Sequence, residues 1–238
     1  MKLLTVNVSR PRIVEYTDSP GGLTGIDKQP VDGAVRVTCP GPERPEGEGG
    51  SGLAGDTIAD LRQHGGTHQA VYAFAREDLD HWGRELDSSL PNGAFGENLT
   101  TIGIDVNGAL IGERWRIGDR LVLEITSGRI PCRTFAGWLG ENGWASEKGW
   151  VKRFTRTARS GAYLRVVEPG EIRAGDAIGI VHRPAHDVTV ELAFRAATAE
   201  RSLLPRVLAA GDALHPELRG KAHVYMRKHG ATGSADYV

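Results

Sequence analysis

The chain has 238 residues, enough to bury a sizeable core in one large domain or in one domain with a small appendage. With 39% hydrophobic residues, 25% charged residues and a formal net charge of -1, neither extensive disorder nor a global attraction to nucleic acid or membranes is expected. Two cysteines are too few for a secreted disulfide framework, no apolar run approaches the roughly 20 residues of a membrane span, and the first residues lack a signal-peptide pattern. We therefore expect a cytoplasmic protein.

Short runs rich in Val, Ile, Leu and Thr, separated by Gly, Pro and Asp, recur through the first three quarters of the chain and predict β-strands. The predicted strands cover residues 3–8, 13–17, 34–38, 70–74, 121–126, 162–167 and 177–182. Because these strands do not alternate regularly with long helices, the pattern favours a mainly β, barrel-like domain over a doubly wound sheet.

Apolar residues at helical spacing predict two short helices within the β-rich part, each facing the core. Their core positions are Leu79, Trp82 and Leu86 in one helix and Val151, Phe154 and Ala158 in the other. From about residue 190 the sequence is rich in Ala, Leu, Arg and Glu, with breaks at Pro205, residues 211–212 and Pro216, which predicts three short helices. We therefore expect a β-rich domain of residues 1–187 and a C-terminal three-helix appendage of residues 188–238.

Two patterns in the first third of the chain resemble ligand-binding motifs but lack the required context. Residues 40–52 form an acidic, Pro/Gly-rich loop that contains the glycine spacing of a dinucleotide fingerprint, without the strand before it and the helix after it that such a site needs. His64 and His68 have the spacing of two metal ligands on a helix, but Gly65 and Gly66 between them disfavour a helix. We favour neither a nucleotide site nor a zinc site.

Cys132 is the stronger candidate because its surroundings are basic. Between Arg129 and Arg165 the chain has eight basic and two acidic residues. Nearby cations favour the thiolate, the form of cysteine that binds metals or attacks electrophiles. Pro131 fixes the preceding backbone, and a short helix predicted over residues 135–139 adds its N-terminal dipole. The basic run also fits a solvated helix face, and the residues alone leave both interpretations open.

Six blocks of sequence, in this order, resemble the MOSC domains and in particular their YiiM-like branch. The blocks are residues 23–31 (LTGIDKQPV), 53–60 (LAGDTIAD), 64–71 (HGGTHQAV), 96–99 (GENL), 117–119 (IGD) and 129–132 (RIPC). The helical tail resembles the three-helix appendage of that branch. Ser127-Gly128, where the family often has a proline, and the acidic insertion of residues 40–52 depart from the pattern.

The resemblance implies a β-rich, barrel-like fold that binds the molybdenum cofactor, with Cys132 as the thiolate ligand of molybdenum. A soft thiolate suits a metal–sulfur centre, and the cofactor carries the two-electron chemistry. The implied activity is the reduction of N-hydroxylated compounds, such as N-hydroxylated bases, to the parent N–H compound. Asn98 and His64 would contact oxo groups or substrate. The predicted cofactor-binding residues are Lys28, Arg129, Arg133, Arg153 and Arg156.

Electrons for such a reduction have to come from a separate donor, either a flavoprotein reductase or a ferredoxin-like protein. Two cysteines cannot hold an iron–sulfur cluster, which generally needs four ligands, and the nucleotide-like glycine pattern lacks its structural context.

Three other functions stay open. Within the family, the chain could be a cofactor carrier or a sulfur-transfer domain without turnover. A nucleic-acid-binding module is disfavoured because residues 188–238 carry only seven basic against five acidic residues, without aromatic interleaving. A thiol redox sensor predicts selective, reversible oxidation of Cys132 in the absence of any cofactor.

Overall fold

The computed structural model describes residues 1–41 and 50–230. Most of the predicted acidic loop, including Gly47 and Gly49 of its glycine pattern, and the last eight residues lie outside the described residues. The strands are β1 (Lys2–Ser9), β2 (Arg12–Ile13), β3 (Leu23–Thr24), β4 (Lys28–Pro30), β5 (Val35–Val37), β6 (Val71–Ala75), β7 (Leu99–Ile102), β8 (Arg114–Ile117), β9 (Leu121–Gly128), β10 (Ala162–Glu168), β11 (Gly170–Ile172) and β12 (Ile178–His182). The helices are α1 (Arg76–Leu86), α2 (Arg133–Glu141), α3 (Trp150–Thr157), α4 (Val190–Thr198), α5 (Leu204–Val207) and α6 (Pro216–Gly230).

Eight strands form one large sheet in the order β12-β8-β9-β10-β6-β7-β1-β4. The pair β6–β7 is parallel, and the other neighbours are antiparallel. The sheet curls round on itself, because Leu3 donates to the carbonyl of Asp176 at 2.9 Å and accepts from Gly175 N at 2.8 Å, just before β12. The predicted mainly β, barrel-like fold is confirmed.

The central strands β6 and β9 are buried at every position. β6 (VYAFA) is a continuous apolar run and β9 (LVLEITSG) is apolar at four of its first five positions, as expected for strands covered on both faces. Glu124 is the exception in β9, and Arg114 of β8 and Arg165 of β10 place their guanidinium nitrogens 2.6 and 2.5 Å from its carboxylate. These two ion pairs connect β9 to β8 on one side and to β10 on the other.

A second, aromatic core lies where α1, α2 and α3 meet. Phe95 is fully buried at its centre, with ring centroids of Trp82, Phe135, Trp150 and Phe154 between 5.1 and 6.1 Å away. Aromatic pairs at such separations stabilise a core beyond the area that they bury. α2 packs against the aromatic core, and this packing fixes the position of the segment that carries Cys132.

The helix predictions are largely confirmed, with one error in α3. Leu79 and Trp82 of α1 are buried as predicted, and so are Phe154 and Ala158. The prediction for Val151 is wrong, since 42% of this residue is exposed. The helix begins at Trp150, and this larger side chain takes the core position instead.

The strand predicted over residues 13–17 is also wrong. Only Arg12 and Ile13 pair with another strand, β3, and Ile13 is 80% exposed. The chain then turns away from β2 and crosses α2, where Tyr16 packs so closely on Gly137 that a Cβ there would lie 2.3 Å from the ring. Contact with α2 therefore replaces strand pairing in this segment.

The three predicted C-terminal helices are present as α4, α5 and α6. Most of their buried apolar residues, among them Ala193, Leu218 and Ala222, belong to the same hydrophobic cluster as the sheet, while Phe194 of α4 packs in the aromatic core. The division of the chain between residues 187 and 188 stays a prediction. Within residues 1–41 and 50–230, no helix combines the length and the hydropathy needed to cross a membrane.

Candidate functional site

A cavity of about 690 Å³ opens beside the ends of β6, β9 and β10 and is walled on one side by α4 and α6. Its lining includes five cationic side chains, several aromatic and amide groups, and Cys132. Of the residues predicted for a site, the cavity brings together Lys28, His64, Asn98, Arg129, Cys132 and Arg133. These residues come from separate segments of the chain, all of which fall within the family-like sequence blocks or next to them.

Cys132 lies in the wall of this cavity at the start of α2. It follows the Arg129-Ile130-Pro131 segment that leaves β9, and it occupies the N-cap position of α2 with extended backbone (φ -128°). Its side chain is partly buried against the aromatic core. The nine-residue helix directs its positive dipole end toward the sulfur, which favours a negative charge there.

Arg129 is a buried cation that has no compensating carboxylate among residues 1–41 and 50–230. Only 8% of the residue is exposed, and its guanidinium carbon lies 4.3 Å from the ring centroid of Phe135 and 5.2 Å from that of Tyr72. It donates a hydrogen bond to the carbonyl of Phe95. Among the described residues no carboxylate lies within ion-pair distance of it. The two rings and one carbonyl position the guanidinium but leave its charge uncompensated.

The other four cations that line the cavity each have a carboxylate partner. The pairs are Lys28–Asp56 at 2.5 Å, Arg62–Asp60 at 3.1 Å, Arg133–Asp18 at 2.7 Å and Lys221–Glu217 at 2.6 Å. Within the described residues, the cavity therefore has one uncompensated positive charge near Cys132. Such a charge calls for an anionic ligand or an ionised thiol.

Arg129 also affects the titration of its neighbours. Burial lowers the pKa of His64 to about 4, and the charge of Arg129 acts in the same direction against the opposing effect of Asp60. His64 is therefore neutral at physiological pH. Burial by itself would lower the pKa of Arg129, but Tyr72, Tyr163 and Cys132 outweigh it and raise that pKa. The sulfur of Cys132 is thus electrostatically coupled to this guanidinium.

Lys28 and Asn98 line the cavity, but their polar groups are already engaged. Lys28 is paired with buried Asp56, and although burial opposes it, this pairing holds the pKa of Asp56 below its usual value. Asn98 donates from Nδ2 to Asp56 at 2.9 Å and to the carbonyl of Asn7 at 3.3 Å, and its Oδ1 accepts from Tyr72 N at 3.1 Å. The contacts of Lys28 with a phosphate and of Asn98 with substrate stay predictions. Both residues hold the cavity wall in place.

The basic residues of the run after Cys132 do not all reach the cavity. Arg133 lines it, although its Nη1 is bound to Asp18 and its Nη2 donates to the carbonyl of Glu15. Arg153 and Arg156 lie on α3 and do not line it, and Arg153 instead donates to the carbonyl and carboxylate of Glu85 at 2.6 and 3.2 Å. α3 buries its apolar face in the aromatic core and turns Arg153 toward α1, and the binding of Arg153 and Arg156 to a cofactor phosphate stays a prediction.

Two tyrosines of the cavity wall, Tyr72 and Tyr163, belong to no sequence motif that predicts a functional role. Tyr163 of β10 pairs in register with Tyr72 of β6 and with Ser127 of β9, so all three side chains emerge on one face of the sheet. The two rings lie 5.1 Å apart. Burial raises the pKa of both phenols, so both are neutral at physiological pH.

His64 and His68 do not act as a pair. His64 lines the cavity, while the ring of His68 packs edge-on against His215 with centroids 5.5 Å apart. His215 and Gln69 also line the cavity. Sequence reasoning missed both, since neither has a distinctive spacing and His215 lies in the C-terminal segment far along the chain.

Comparison with known proteins agrees with this fold. Residues 60–179 match the MOSC domain family model. The uncharacterized protein YflK of Bacillus subtilis (strain 168) is 32% identical over 193 residues, which cover 81% of this chain and 79% of YflK. A Gibberella moniliformis protein named "Reductase" is 31% identical over 165 residues, 68% of this chain but only 26% of that protein.

Among solved structures, YiiM from Geobacillus stearothermophilus superposes with a TM-score of 0.71 at 22% identity, over 94% of this chain and 98% of that one. The fold is thus YiiM-like over nearly the whole chain. The family match spans half of the sequence, and the protein belongs to the MOSC domain family.

Proposed function

We propose that this protein is a molybdenum-cofactor-dependent reductase that removes the hydroxyl group of N-hydroxylated compounds, with Cys132 as the protein ligand of molybdenum. The observation that carries the proposal is the pairing, in one cavity, of a cysteine at a helix N-terminus with a buried arginine that has no carboxylate partner among the described residues. MOSC domains are generally associated with this cofactor, and one relative is named a reductase.

The residues present fit such a group. Its thiolate–metal centre and its phosphate are anionic, and Arg129 provides the uncompensated charge in the cavity. Gly96 leaves the wall open beside this guanidinium, since a Cβ there would lie 3.4 Å from Arg129 Nη1 and 3.2 Å from Ile26 Cγ1. Thiolate sulfur is the ligand type that a soft metal–sulfur centre prefers.

When bound, the cofactor would supply the two electrons of the reduction, R–NH–OH + 2e⁻ + 2H⁺ → R–NH₂ + H₂O. Cys132 would hold the metal through Sγ at a fixed position, because its backbone continues directly into α2. Arg129 would balance the negative charge next to that sulfur. His64 stays neutral because its pKa is about 4, so it would donate or accept a hydrogen bond without adding a second positive charge.

The test compares the two cysteines of the chain. Protein made in a host that synthesises the cofactor is analysed for molybdenum and pterin as wild type, Cys132→Ser and Cys39→Ser. Cys39 is exposed and does not line the cavity, which makes it a matched control. We expect near-stoichiometric molybdenum in wild type and Cys39→Ser, and a loss of at least tenfold in Cys132→Ser. Equal molybdenum contents in all three would refute the assignment.

Turnover separates the reductase from a carrier or a sulfur-transfer domain. With a reduced viologen dye as electron donor and an N-hydroxylated base as substrate, the reductase forms one parent base and one water for every two electrons. A loaded protein that gives no product with a panel of N-hydroxylated compounds would instead be a carrier.

In the cell the electrons would come from a separate flavoprotein or ferredoxin-like protein. Among the described residues no three His, Cys, Asp or Glu side chains gather as a further metal site, and the chain has only two cysteines. Oxidation of a purified ferredoxin or flavoprotein by the loaded enzyme, dependent on substrate, would test this partner.

A further inference from the structure

Tyr72 and Tyr163 lie side by side in the cavity wall, but their hydroxyl groups differ in what they contact. The hydroxyl of Tyr72 donates to the carbonyl of Ser160 at 2.8 Å, and Tyr72 is only 3% exposed. Tyr163 is partly buried and lines the cavity, and its hydroxyl has no hydrogen-bond partner in the part of the chain that the structure describes. That oxygen is also not one of the polar atoms enclosed by the protein. Tyr163 therefore presents an O–H group to the cavity.

The phenol of Tyr163 lies close to both Cys132 and Arg129. Burial, the largest effect, raises the pKa of Tyr163, while the guanidinium of Arg129 lowers this pKa and the charge of Cys132 raises it. Such effects weaken with distance, so both groups are near the phenol. The strand register agrees, because Tyr163 is directly opposite Ser127 of β9, two residues before Arg129.

The removal of a hydroxyl group from nitrogen requires a proton on the oxygen that leaves. Without that proton the oxygen would depart as hydroxide, whose conjugate acid, water, has a pKa of about 15.7. A phenol, with an ordinary pKa of about 10, is a stronger acid than water and can protonate the oxygen as the N–O bond breaks. The phenolate that results would lie near the positive charge of Arg129, which stabilises it.

We infer that Tyr163 is the proton donor of the proposed reduction: its hydroxyl hydrogen-bonds the N-hydroxyl oxygen of the substrate and gives that oxygen the proton with which it leaves as water. The N–O bond breaks and its electron pair leaves with the oxygen. The two electrons from the reduced donor protein go to the nitrogen, which takes the second proton from water. The phenolate then recovers its proton from solvent through the cavity. The inference rests on the proposed function for this reaction, but the hydrogen bond can be tested without turnover.

His64 is a second neutral group in the cavity that can donate a proton. It lies in an irregular segment between residues 54 and 66, whereas Tyr163 lies in β10, which is paired with β6 on one side and with β9 on the other. Proton transfer needs a donor at a fixed distance from the reacting atom, and a residue of a central strand is better fixed than a residue of a loop. These differences favour Tyr163.

Four variants separate these roles. Tyr163→Phe removes the hydroxyl and keeps the ring that packs on Tyr72. Tyr72→Phe removes a hydroxyl of the same wall that is already bonded to the protein. His64→Gln tests the competing donor. Tyr225→Phe makes the same substitution on α6, where the side chain does not line the cavity, and serves as the control.

The hydrogen bond is measured by titration calorimetry on protein from a cofactor-synthesising host, without an electron donor. The ligands are adenine and adenine hydroxylated on its exocyclic nitrogen, which differ only in the oxygen that Tyr163 would contact. We expect Tyr163→Phe to weaken binding of the hydroxylated ligand about fivefold, the cost of one neutral hydrogen bond, and to leave the affinity for adenine unchanged. Tyr72→Phe should change the two affinities by equal factors, and Tyr225→Phe should change neither.

Proton donation is measured by turnover of the hydroxylated ligand with a reduced viologen dye. General acid catalysis contributes about a hundredfold or more, so kcat of Tyr163→Phe should fall by at least about that factor, while KM rises only about fivefold. The molybdenum content should equal that of the wild type in all four variants, because the hydroxyl of Tyr163 is assigned to the substrate and not to the cofactor.

The inference is overturned if Tyr163→Phe binds the hydroxylated ligand as the wild type does, or if the wild type does not bind that ligand at millimolar concentration. A loss of kcat in His64→Gln without one in Tyr163→Phe would assign the proton to His64 instead. Failure of the proposed function has a different signature. In that case the wild type lacks molybdenum or turnover, while Tyr163→Phe still loses affinity for the hydroxylated ligand alone, which supports the hydrogen bond and refutes the proton transfer.

Discussion

The basic run after β9 is divided by the fold into two regions with different surroundings. Arg129 and Arg133 lie where the chain passes from β9 to α2, and both line the cavity. Arg153 and Arg159 lie on and just after α3, where they pair with Glu85 and Asp78 of α1. The two regions are both basic, but one is a loop between a strand and a helix and the other is a helix with the residues just after it. A loop between a strand and a helix can face an open cavity, whereas α3 has its apolar side committed to the aromatic core.

The comparison shows that charge density along the sequence is a weaker indicator of a site than the absence of a counter-charge in the fold. Glu85 and Asp78 compensate Arg153 and Arg159, and no described carboxylate compensates Arg129. The α3 region should therefore contribute to stability, and the Arg129 region to ligand binding.

The largest effect on stability is expected at Arg159. Its guanidinium lies 2.5 Å from Asp78, which is only 4% exposed and also accepts from Asn107 Nδ2. Arg159→Met would leave that carboxylate buried without its cation, and because Arg159 itself is partly exposed we expect a loss of about 2–3 kcal/mol in the free energy of unfolding. Urea unfolding at pH 7 measures it, with Arg156→Met, an exposed arginine of the same region, as control. Equal small losses in both variants would contradict the prediction.

An effect of about 2 kcal/mol is expected from the titration of His64. Its pKa is about 4 in the fold against 6.5 in the unfolded chain. Between these values the unfolded state binds more protons, so stability falls as the pH drops below 6.5. The loss attributable to this group at pH 5 is about 2 kcal/mol relative to pH 7.5.

Unfolding experiments at both pH values check this in wild type and His64→Gln, which should lose about 2 kcal/mol less on acidification. Arg129→Met should also show a smaller loss, since the charge of Arg129 is the second cause of the lowered pKa. If the pH dependence of stability is the same in His64→Gln as in the wild type, the pKa of His64 is not lowered by folding. That result would contradict the claim that the charge of Arg129 acts on His64.

Parts of the fold could be predicted from the sequence because they depend on local pattern. β6 is a continuous apolar run, β9 is apolar at four of its first five positions, and α1 shows clear helical spacing. β8 was missed because its sequence, RWRI, alternates arginines with buried Trp115 and Ile117. The carboxylate that pairs with Arg114 is that of buried Glu124, which lies in another strand. The segment 13–17 was wrongly predicted because its apparent strand character is overridden by packing of Tyr16 on α2.

The candidate site shows the same limit. The basic surroundings and the ordered blocks are features of the sequence itself, and they are enough to single out Cys132. Sequence could not separate Arg129 from Arg153, since the difference between them is whether a carboxylate from a distant segment is present. Nor could it show that the amide of Asn98 is hydrogen-bonded through its nitrogen and its oxygen, because its partners Asn7, Asp56 and Tyr72 are brought together only by folding.

A tenfold or greater loss of bound molybdenum is expected for Arg129→Met in protein from a cofactor-synthesising host. A hydrogen bond or charge contact to an anionic ligand contributes about 1.5–3 kcal/mol, and tenfold corresponds to about 1.4 kcal/mol. Metal analysis measures the content, with thermal unfolding to show that the variant is folded. Arg129→Lys should recover part of the content because it restores charge without the planar geometry. Full molybdenum content in Arg129→Met would mean that the guanidinium of Arg129 binds a different ligand or interacts only with the thiol of Cys132.

The smallest effect is expected at Arg153, and it decides whether the division between the two regions holds. The Arg153–Glu85 pair is exposed on both sides, with 39% and 54% of the side chains accessible, so Arg153→Met should change the free energy of unfolding by less than about 0.5 kcal/mol. Molybdenum content should equal that of the wild type, because Arg153 does not line the cavity. The molybdenum contents of Arg153→Met and Arg129→Met are measured in the same experiment, so the two arginines are compared under one condition. A matching loss of molybdenum in the two variants would mean that α3 moves toward the cavity when ligand binds, and the separation of a stabilising region from a binding region would then fail.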